Sequence, residues 1–394
     1  MATEQRQGLL SDEQLQNFDD RGYFVLDNPC EMGLVDSVRG AAEELLRDDS
    51  QEGPQLEVDG VKYFTHPGGV TAGYHWQRVQ NAWLISDPIR ELALEPRVLD
   101  VVEQLYGRKV APFQTLNFPV GTQQPAHTDS FAFQSDPPGF MCGVWVALED
   151  MDMDNGTLIY YPGSHKLPMP TWDVIQDELG NSVNPDDFES PSDFHKARQG
   201  LWTQYCKHLI ERHGLEPEYA TIKKGQAMLW SSNLLHGGSP QRDPDRTRHS
   251  QVTHYFFEGC RVYTPLHSEG GHNYWEYPEW IRDPVPEYNG ATLAAAIREH
   301  VDEGARVLVF NGAMQFEDAW LRLFNGERFG EGLDDAGALE ALKSEQARGA
   351  RYIIFPKEQL WHLEWKFPQL QDYLELENRA LLRDGMFAAI FALD

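Results

Sequence analysis

The strongest constraint on the fold is a series of short β-rich runs that begins near residue 110. The runs are broken by Gly and Pro and read PFQTLNF, MCGVWVAL, GTLIYYPG, AMLWSS and SQVTHYFF. Many short strands separated by turn residues are typical of a double-sheet jelly roll. We therefore expect a mainly β domain with flanking helices, built as a double-stranded β-helix.

The flanking segments carry helical signals. Ser11 followed by Gln14 forms the pattern of a capping box, and residues 34–48 and 87–106 have helical periodicity. Residues 167–222 interrupt the β-rich series with a polar segment, which includes the helical pattern FHKARQGLWTQYCKHLIERHG. Long insertions of this kind are usually functional, often as active-site lids, so we interpret the segment as a substrate lid. A peripheral insertion is the alternative.

The end of the chain has a different periodicity. Residues 276–290 are rich in Pro and aromatic residues and are interpreted as a linker between a first domain, 1–275, and a second, 291–394. After the linker, helical patterns such as ATLAAAIREHVDEG and DAGALEALKSEQARGA alternate with strand patterns, which read ARVLVFNG, RYIIFP and MFAAIFALD. Such alternation predicts a small α/β domain with a mostly parallel sheet.

One motif carries metal-binding chemistry. His127 and Asp129 form an H-x-D pair, and His236 follows much later, just after the run AMLWSS. Two histidines and one carboxylate occupy one face of a non-haem ferrous ion and leave the opposite face open. The alternative is a set of unrelated polar residues in a β-sandwich.

An arginine completes this set. Arg248 supplies a planar, two-pronged donor that suits the carboxylate of a dicarboxylate co-substrate. Ser250 makes an R-x-S pair with it and offers a hydroxyl donor to the same carboxylate. A surface salt bridge is the alternative for Arg248, and the other arginines considered for its role are Arg242, Arg246 and Arg261.

The motifs resemble those of the phytanoyl-CoA dioxygenase family of Fe(II)/2-oxoglutarate oxygenases. They are H-T-D, W-V-A-L-E-D, D-N-G-T-L, P-G-S-H-K, and L-L-H-G-G-S followed by R-H-S, in family order over roughly the first 270 residues. The resemblance implies Fe(II) bound by His127, Asp129 and His236, with 2-oxoglutarate and O2 as co-substrates. It also implies that Arg248 holds the distal carboxylate of 2-oxoglutarate.

The same resemblance suggests further roles. Asn117 matches an amide that hydrogen-bonds the co-substrate, and Trp145 matches an aromatic residue beside it. Either residue is equally consistent with ordinary core packing. Gln114 and Thr115 are weaker candidates on the same predicted strand.

Other residues near the motifs have competing interpretations. Phe131 and Phe133 line a substrate pocket or simply pack. His165 fixes the P-G-S-H-K loop, His249 faces away from Arg248, and His254 is a core residue or supports a metal ligand.

The resemblance implies hydroxylation, with release of succinate and CO2. Relatives that transfer halide replace the carboxylate with a small residue, whereas Asp129 is present here. A Zn or Mn enzyme on the same fold and an inactive binding protein in glycan assembly are the alternatives. We expect a small-molecule or glycan-linked substrate. The patterns G-A-R-Y-I-I-F-P, L-W-H-L and F-P-Q-L-Q-D-Y-L in the last 100 or so residues are similar to a module found beside bacterial glycosyltransferases, which favours a glycan- or nucleotide-sugar-linked substrate.

Composition excludes several classes of partner. A net charge of −29 argues against nucleic acid, which requires clustered Lys and Arg. No run of about 18 apolar residues and no apolar leader are present, so we expect no membrane partner and a cytoplasmic protein. The four cysteines form no C-x-x-C and predict no disulfide framework. The oligomeric state is left open.

Overall fold

The computed structural model describes residues 9–47, 55–58, 61–66, 70–71, 74–75, 78–311, 321 and 326–393. The chain divides into two compact units. The first comprises Met1–Cys260 with Ile281–Asp283, and the second comprises Arg261–Trp280 with Pro284–Asp394. Among the described helices, none combines the length and the apolar character needed to cross a membrane.

The first unit combines helices with antiparallel strands. Its helices are α1 (Asp12–Arg21), α2 (Met32–Arg47), α3 (Asp87–Ala93), α4 (Pro96–Tyr106), α5 (Trp172–Leu179) and α6 (Pro191–His213). Its strands are β1 (Tyr23–Leu26), β2 (Gln55–Val58), β3 (Val61–His66), β4 (Val70–Thr71), β5 (Tyr74–His75), β6 (Arg78–Gln80), β7 (Val110–Phe118), β8 (Gln134–Asp136), β9 (Met141–Ala147), β10 (Leu158–Tyr160), β11 (Glu218–Tyr219), β12 (Ala227–Ser231), β13 (His236–Gly238) and β14 (Ser250–Phe257).

The ends of the N-terminal helices follow from local sequence. The Ser11 hydroxyl accepts from the N–H of Gln14, and the Gln14 side chain accepts from the N–H of Ser11, which confirms the capping box. α1 ends at Gly22, whose φ of 81° lies in the left-handed region that favours glycine. The single helical pattern expected over 87–106 is two helices, because Pro96 disfavours helical backbone at Glu95.

Two antiparallel sheets form the body of the first unit. The large sheet has the order β1-β12-β9-β14-β7-β6-β3-β2, and the small sheet has the order β11-β10-β13. Trp145 and Trp230 of the large sheet share one core cluster with Leu158 of the small sheet. This arrangement agrees with the mainly β jelly roll expected from the sequence.

The two faces of the large sheet differ in what they contact. Leu116, Trp145, Trp230 and Val252 belong to the core cluster, and we call the face that carries them the inner face. Because side chains alternate along a strand, residues next to these in sequence point to the opposite, outer face. This alternation decides which predicted site residues reach the site.

The segment between β10 and β11 contains α5 and α6, which pack against each other. Phe131 stacks on Trp202 of α6 with ring centroids 4.2 Å apart, and it meets Trp172 of α5 edge-on at 5.0 Å. Phe131 lies two residues after Asp129 of the H-x-D pair. The insert expected at 167–222 therefore lies against the segment that carries Asp129, and its action as a lid stays a prediction.

The second unit contains strands β15 (Arg261–Tyr263), β16 (Trp275–Glu276), β17 (Val307–Phe310), β18 (Gly326–Phe329), β19 (Tyr352–Pro356), β20 (Arg379–Asp384) and β21 (Ala388–Ala392). Its helices are α7 (Gly290–His300), α8 (Asp335–Ala347), α9 (Lys357–Lys366) and α10 (Pro368–Glu377). A five-stranded sheet has the order β18-β17-β19-β21-β20.

The five-stranded sheet is mixed, whereas the sequence predicted a mostly parallel one. β17 runs parallel to β18 and β19, but β21 runs antiparallel to β19 and β20. The sequence patterns did not predict strands β18 and β20. Because only a short turn joins β20 to β21, the two strands form an antiparallel hairpin.

Segment 261–280 packs with the second unit, whereas the sequence placed 261–275 in the first domain. The Gln371 side chain donates to the Trp275 carbonyl at 2.9 Å, and the Trp275 indole donates to Asp372 at 2.8 Å. The N–H of Gly385 donates to the Pro278 carbonyl at 3.0 Å. These bonds hold the Pro- and aromatic-rich segment to α10 and to the β20–β21 turn.

Candidate metal and co-substrate site

His127 and His236 are distant in sequence but adjacent across an isolated antiparallel bridge. The N–H of each residue donates to the carbonyl of the other, and both bonds are 2.9 Å long. Directly opposed residues of an antiparallel pair project their side chains to the same side. Their ring centroids are 4.5 Å apart, so the backbone pairing sets the two imidazoles side by side.

Each of these imidazoles has one nitrogen engaged by the backbone. Nδ1 of His127 lies 3.0 Å from the Pro125 carbonyl oxygen, and Nδ1 of His236 lies 2.9 Å from the Leu234 carbonyl oxygen. A carbonyl oxygen only accepts, so each Nδ1 carries a proton, and in the neutral ring Nε2 keeps its lone pair. Both rings therefore offer Nε2 to a metal ion.

Asp129 supplies the third candidate ligand. Its Oδ1 lies 3.7 Å from Nε2 of His236 and 4.0 Å from Nε2 of His127. The ligand atoms of the three residues lie within 4.8 Å of one another, and no other such group was found in the described part of the chain. The structure thus brings together the three residues that the sequence selected for one metal ion.

The second oxygen of Asp129 lies near His254, which agrees with one of the two roles expected for that residue, and near Trp230, a contact that the sequence did not predict. The Trp230 indole N–H donates to Oδ2 at 2.7 Å, and Nε2 of His254 lies 3.7 Å from the same oxygen. His254 in turn donates through Nδ1 to the Gln114 side chain at 2.8 Å. Trp230 resembled an ordinary core residue of a β-strand, and the only signal was that a buried indole N–H usually needs a partner.

Electrostatics favours the metal-binding protonation states. Burial and, to a lesser extent, the neighbouring His236 lower the pKa of His127 to about 4, against the opposing effect of Asp129. Burial alone raises the pKa of Asp129, but His236, His254 and His127, together with the Trp230 hydrogen bond, outweigh it and lower that pKa. At neutral pH the site therefore holds a neutral His127 imidazole beside a carboxylate, which are the forms that bind a divalent metal.

Arg248 is buried on the inner face without a carboxylate partner among the described residues. It is 1% exposed, and its guanidinium carbon lies 5.9 Å from the Phe118 ring centroid and 5.5 Å from the Trp145 ring centroid. Nη1 makes one long bond of 3.5 Å to the Gly156 carbonyl, and Nε has no partner. Burial lowers the pKa of Arg248 to about 10, against the opposing effect of Glu149. A buried cation in this state favours an anionic ligand.

The competing arginines are placed differently. Arg246 binds Asp152 through Nη1, at 2.9 Å from each carboxylate oxygen. Arg242 is exposed, and Arg261 belongs to the second unit, where it donates to the Glu375 carbonyl at 2.6 Å. Arg248 is thus the member of this set that is buried in the first unit.

Ser250 and Trp145 lie on the same face as Arg248. Ser250 pairs with Phe118 and Ala147, and both of these residues belong to the core cluster of the inner face. The Ser250 hydroxyl and the Trp145 indole N–H are both buried without a hydrogen-bond partner. Buried polar groups are normally paired, so these two donors and Arg248 form a polar cluster with unsatisfied hydrogen-bonding groups on the inner face.

The structure corrects the interpretation of Asn117. This residue lies between two inner-face residues of β7, so its side chain points to the outer face. Its amide donates to Gln251 at 3.0 Å, and Gln251 donates to the Ile89 carbonyl of α3 at 3.1 Å. Asn117 therefore supports the sheet against α3 and is not brought to the metal site. Gln114, one of the two weaker candidates, is connected to the metal site through its hydrogen bond with His254.

The remaining histidines and phenylalanines have structural contacts. Nε2 of His165 lies 3.0 Å from the Asp19 carbonyl oxygen, and Nε2 of His249 lies 3.4 Å from Glu43. Phe133 packs against His254 with ring centroids 5.4 Å apart. His165 therefore fixes its loop, His249 faces away from the site, and Phe133 lies beside a neighbour of Asp129.

Comparison with known families agrees with this geometry. The family model described as phytanoyl-CoA dioxygenase (PhyH) matches residues 18–250, which is more than half of the chain. The chain belongs to the phytanoyl-CoA dioxygenase family. The matched segment of this family member includes all three candidate metal ligands and Arg248.

Individual relatives of this phytanoyl-CoA dioxygenase family member are distant. Peroxisomal phytanoyl-CoA dioxygenase of Rattus norvegicus is 22% identical over 335 residues, which cover 81% of this chain and 84% of that protein. Ectoine dioxygenase of Halomonas elongata is 24% identical over 250 residues, which cover 61% and 69%. Similar solved structures include EctD from S. alaskensis with bound Fe, at a TM-score of 0.48 and 22% identity over 67% of this chain and 83% of that one.

Proposed function

We propose that this protein is an Fe(II)- and 2-oxoglutarate-dependent dioxygenase that hydroxylates a small-molecule or glycan-linked substrate. The observation that carries the proposal is the buried Arg248, which has no carboxylate partner in the described first unit. A metal triad alone suits several metalloenzymes. A triad with an unpaired guanidinium on the inner face suits a metal together with an anionic co-substrate.

The donor set fits a non-haem ferrous ion. His127, Asp129 and His236 present two imidazole nitrogens and one carboxylate oxygen from a closely spaced cluster, and the backbone bonds to the two Nδ1 atoms fix which nitrogens are offered. This set leaves coordination positions open, as oxygenases require. Thiolate ligands, which structural zinc sites prefer, are absent from the cluster.

The polar cluster of Arg248, Ser250 and Trp145 on the inner face fits the distal carboxylate of 2-oxoglutarate. Arg248 would hold that carboxylate with its guanidinium, and the Ser250 hydroxyl would donate to the same group. The Trp145 indole N–H would lie beside the co-substrate. Asn117 has no part in this proposal, because it points to the outer face.

The chemistry supplied by Fe(II), 2-oxoglutarate and O2 when bound is oxidation of a substrate C–H bond, with release of succinate and CO2. The contribution of the chain is to position these groups and to exclude water. His236 and Asp129 are buried, and the Phe131–Trp202 stack covers the segment after Asp129. Because Asp129 retains its carboxylate, we propose hydroxylation rather than halide transfer.

The relatives support the class of reaction and leave the substrate open. Both named relatives are dioxygenases, and their substrates differ from each other. We propose that the second unit recognises a partner or a large substrate and supplies no metal ligand. In its described residues, no His, Cys, Asp and Glu group with metal-binding spacing was found.

The test is an anaerobic titration of the full-length protein with Fe(II) and then with 2-oxoglutarate, followed by exposure to O2. Succinate formation is expected, and incubation with a cell extract should yield a product heavier by one oxygen atom in mass spectrometry. The matched control is Asp129→Ala, which should form no succinate. Wild-type protein that binds Fe(II) but never converts 2-oxoglutarate would contradict the proposal.

A further inference from the structure

The two oxygens of Asp129 have different surroundings. Oδ1 faces the Nε2 atoms of His127 and His236, at 4.0 and 3.7 Å. Oδ2 accepts a 2.7 Å hydrogen bond from the Trp230 indole, which is buried in the same core. An indole N–H is only a donor, so this bond engages Oδ2 and leaves Oδ1 for a metal ion.

The indole reaches Asp129 because the residue opposite Trp230 has no side chain. Trp230 of β12 pairs with Gly143 of β9. A Cβ built on Gly143 would lie 2.5 Å from the indole Cε2 and Cζ2 atoms and 2.9 Å from Nε1. The backbone of Gly143 lies outside the left-handed region, so glycine is required here for space rather than for conformation.

The hydrogen bond to Oδ2 therefore depends on the absence of a side chain at Gly143. The indole lies across β9, with its N–H directed at the carboxylate and its ring centroid 4.9 Å from that of His236. A larger residue at position 143 would displace the indole from this place. The strand register, which sets Gly143 opposite Trp230, thus determines the orientation of a side chain in the metal site.

We propose that Trp230, seated on Gly143, is a positioning residue that restricts Asp129 to binding the metal through one oxygen. This inference rests on the proposed function, because it concerns how the same triad receives its ion. A carboxylate with both oxygens free chelates a metal readily and fills an extra coordination position. Holding Oδ2 would leave three positions open, two for the oxygen atoms of the co-substrate and one for O2.

The test compares Trp230→Phe and Gly143→Ala with wild-type full-length protein. Trp230→Phe keeps an aromatic ring and loses the donor, whereas Gly143→Ala keeps the donor and displaces it. The matched controls are Trp83→Phe, at a buried indole whose N–H has no partner, and Gly40→Ala, at a position where an added Cβ meets nothing within 4 Å. Unfolding free energies of the metal-free proteins separate loss of stability from loss of function.

We expect the two site variants to bind Fe(II) within about threefold of wild type under anaerobic conditions. Their affinity for 2-oxoglutarate, measured by calorimetry on the metal-loaded protein, should fall by about tenfold, or about 1.4 kcal/mol. The visible absorption of the Co(II)-loaded variants should weaken, because its intensity decreases as coordination number rises. Both control variants should match wild type in all three measurements.

Two outcomes would overturn the positioning role. The first is an equal loss of metal and 2-oxoglutarate affinity in Trp230→Phe, which would mean that the indole only maintains packing. The second is a Co(II) spectrum and a 2-oxoglutarate affinity that are both unchanged. Wild-type protein that binds Co(II) but not 2-oxoglutarate would contradict the proposed function, and the Co(II) spectra would still decide whether Trp230 controls Asp129.

Discussion

The backbones of His127 and His236 bond reciprocally, N–H to carbonyl in both directions at 2.9 Å. Two candidate metal ligands are thereby fixed by a β-bridge rather than by their own side-chain contacts. The imidazoles then need only the Nδ1 bonds to Pro125 and Leu234 to complete their orientation. The candidate metal site is therefore preorganised by main-chain geometry.

Replacement of any candidate metal ligand by Ala should abolish tight Fe(II) binding. We expect the affinity of His127→Ala, Asp129→Ala or His236→Ala to fall by about a hundredfold or more, because losing even an outer partner of a ligand costs about 10–100-fold. Anaerobic calorimetry measures this affinity. The control is His165→Ala, because Nε2 of His165 lies 3.0 Å from the Asp19 carbonyl oxygen, away from the triad. Full Fe(II) affinity in His236→Ala would mean that another residue is the ligand.

Replacement of Arg248 by Ala should selectively weaken 2-oxoglutarate binding. The variant loses a charge-assisted bidentate contact, so the KM for 2-oxoglutarate should rise by about one to two decades with little change in Fe(II) affinity. Steady-state succinate formation measures the effect. Arg246→Ala is the control, because Arg246 is engaged with Asp152. If Arg246→Ala raises the KM and Arg248→Ala does not, the assignment of Arg248 is wrong.

Replacement of Asn117 by Ala should affect stability rather than co-substrate binding. The variant leaves the buried Gln251 oxygen without its donor, which costs about 1–3 kcal/mol in the free energy of unfolding. The KM for 2-oxoglutarate should change by less than about twofold. Chemical denaturation and steady-state kinetics give the two values. A stable variant with a strongly raised KM would contradict the outer-face placement.

Replacement of Glu276 by Gln should stabilise the protein in a pH-dependent way. Burial raises the pKa of Glu276 to about 7, against a hydrogen bond from Thr264, so the folded state holds this proton more tightly than the unfolded state. The contribution of Glu276 to the free energy of unfolding is fully present below about pH 4.5. It is lost as pH rises through about 7 and the buried carboxyl ionises. Glu276→Gln should therefore be more stable by about 2 kcal/mol at pH 8, after allowance for partial exposure.

The same comparison at about pH 4.5 should show little difference between Glu276→Gln and wild type. Urea denaturation at both pH values measures this, and Glu377→Gln, at an exposed position near the end of α10, is the control. A stabilisation that is equal at both pH values would show that the carboxyl is not protonated preferentially in the folded state.

The sequence was sufficient to select the residues whose chemistry is specific. The H-x-D pair and the distant His236 converge in space, and Arg248 is the buried arginine of the four considered. Their identification depended on residue type and motif order, which do not require knowledge of strand register. The turn-separated β runs likewise predicted the two antiparallel sheets.

Features that depend on register could not be predicted. The family resemblance suggests a co-substrate role for Asn117, but the alternation of β7 directs its side chain away from the site. The pairing of Trp230 with Gly143 could not be predicted from the sequence either, because the two residues lie on strands far apart in the chain. The hairpin of β20 and β21 was missed because RALLRD is polar and lacks a clear period-2 pattern.

The helices α5 and α6 lie within the stretch of about 110 residues that the His127–His236 bridge closes into a loop. The entropy of closing a flexible loop grows only logarithmically, so doubling its length costs about 0.6 kcal/mol. Segments within this loop can thus lengthen or shorten at small cost to the closure itself. The α5–α6 excursion can therefore change in length with little effect on the backbone pairing that fixes the two imidazoles.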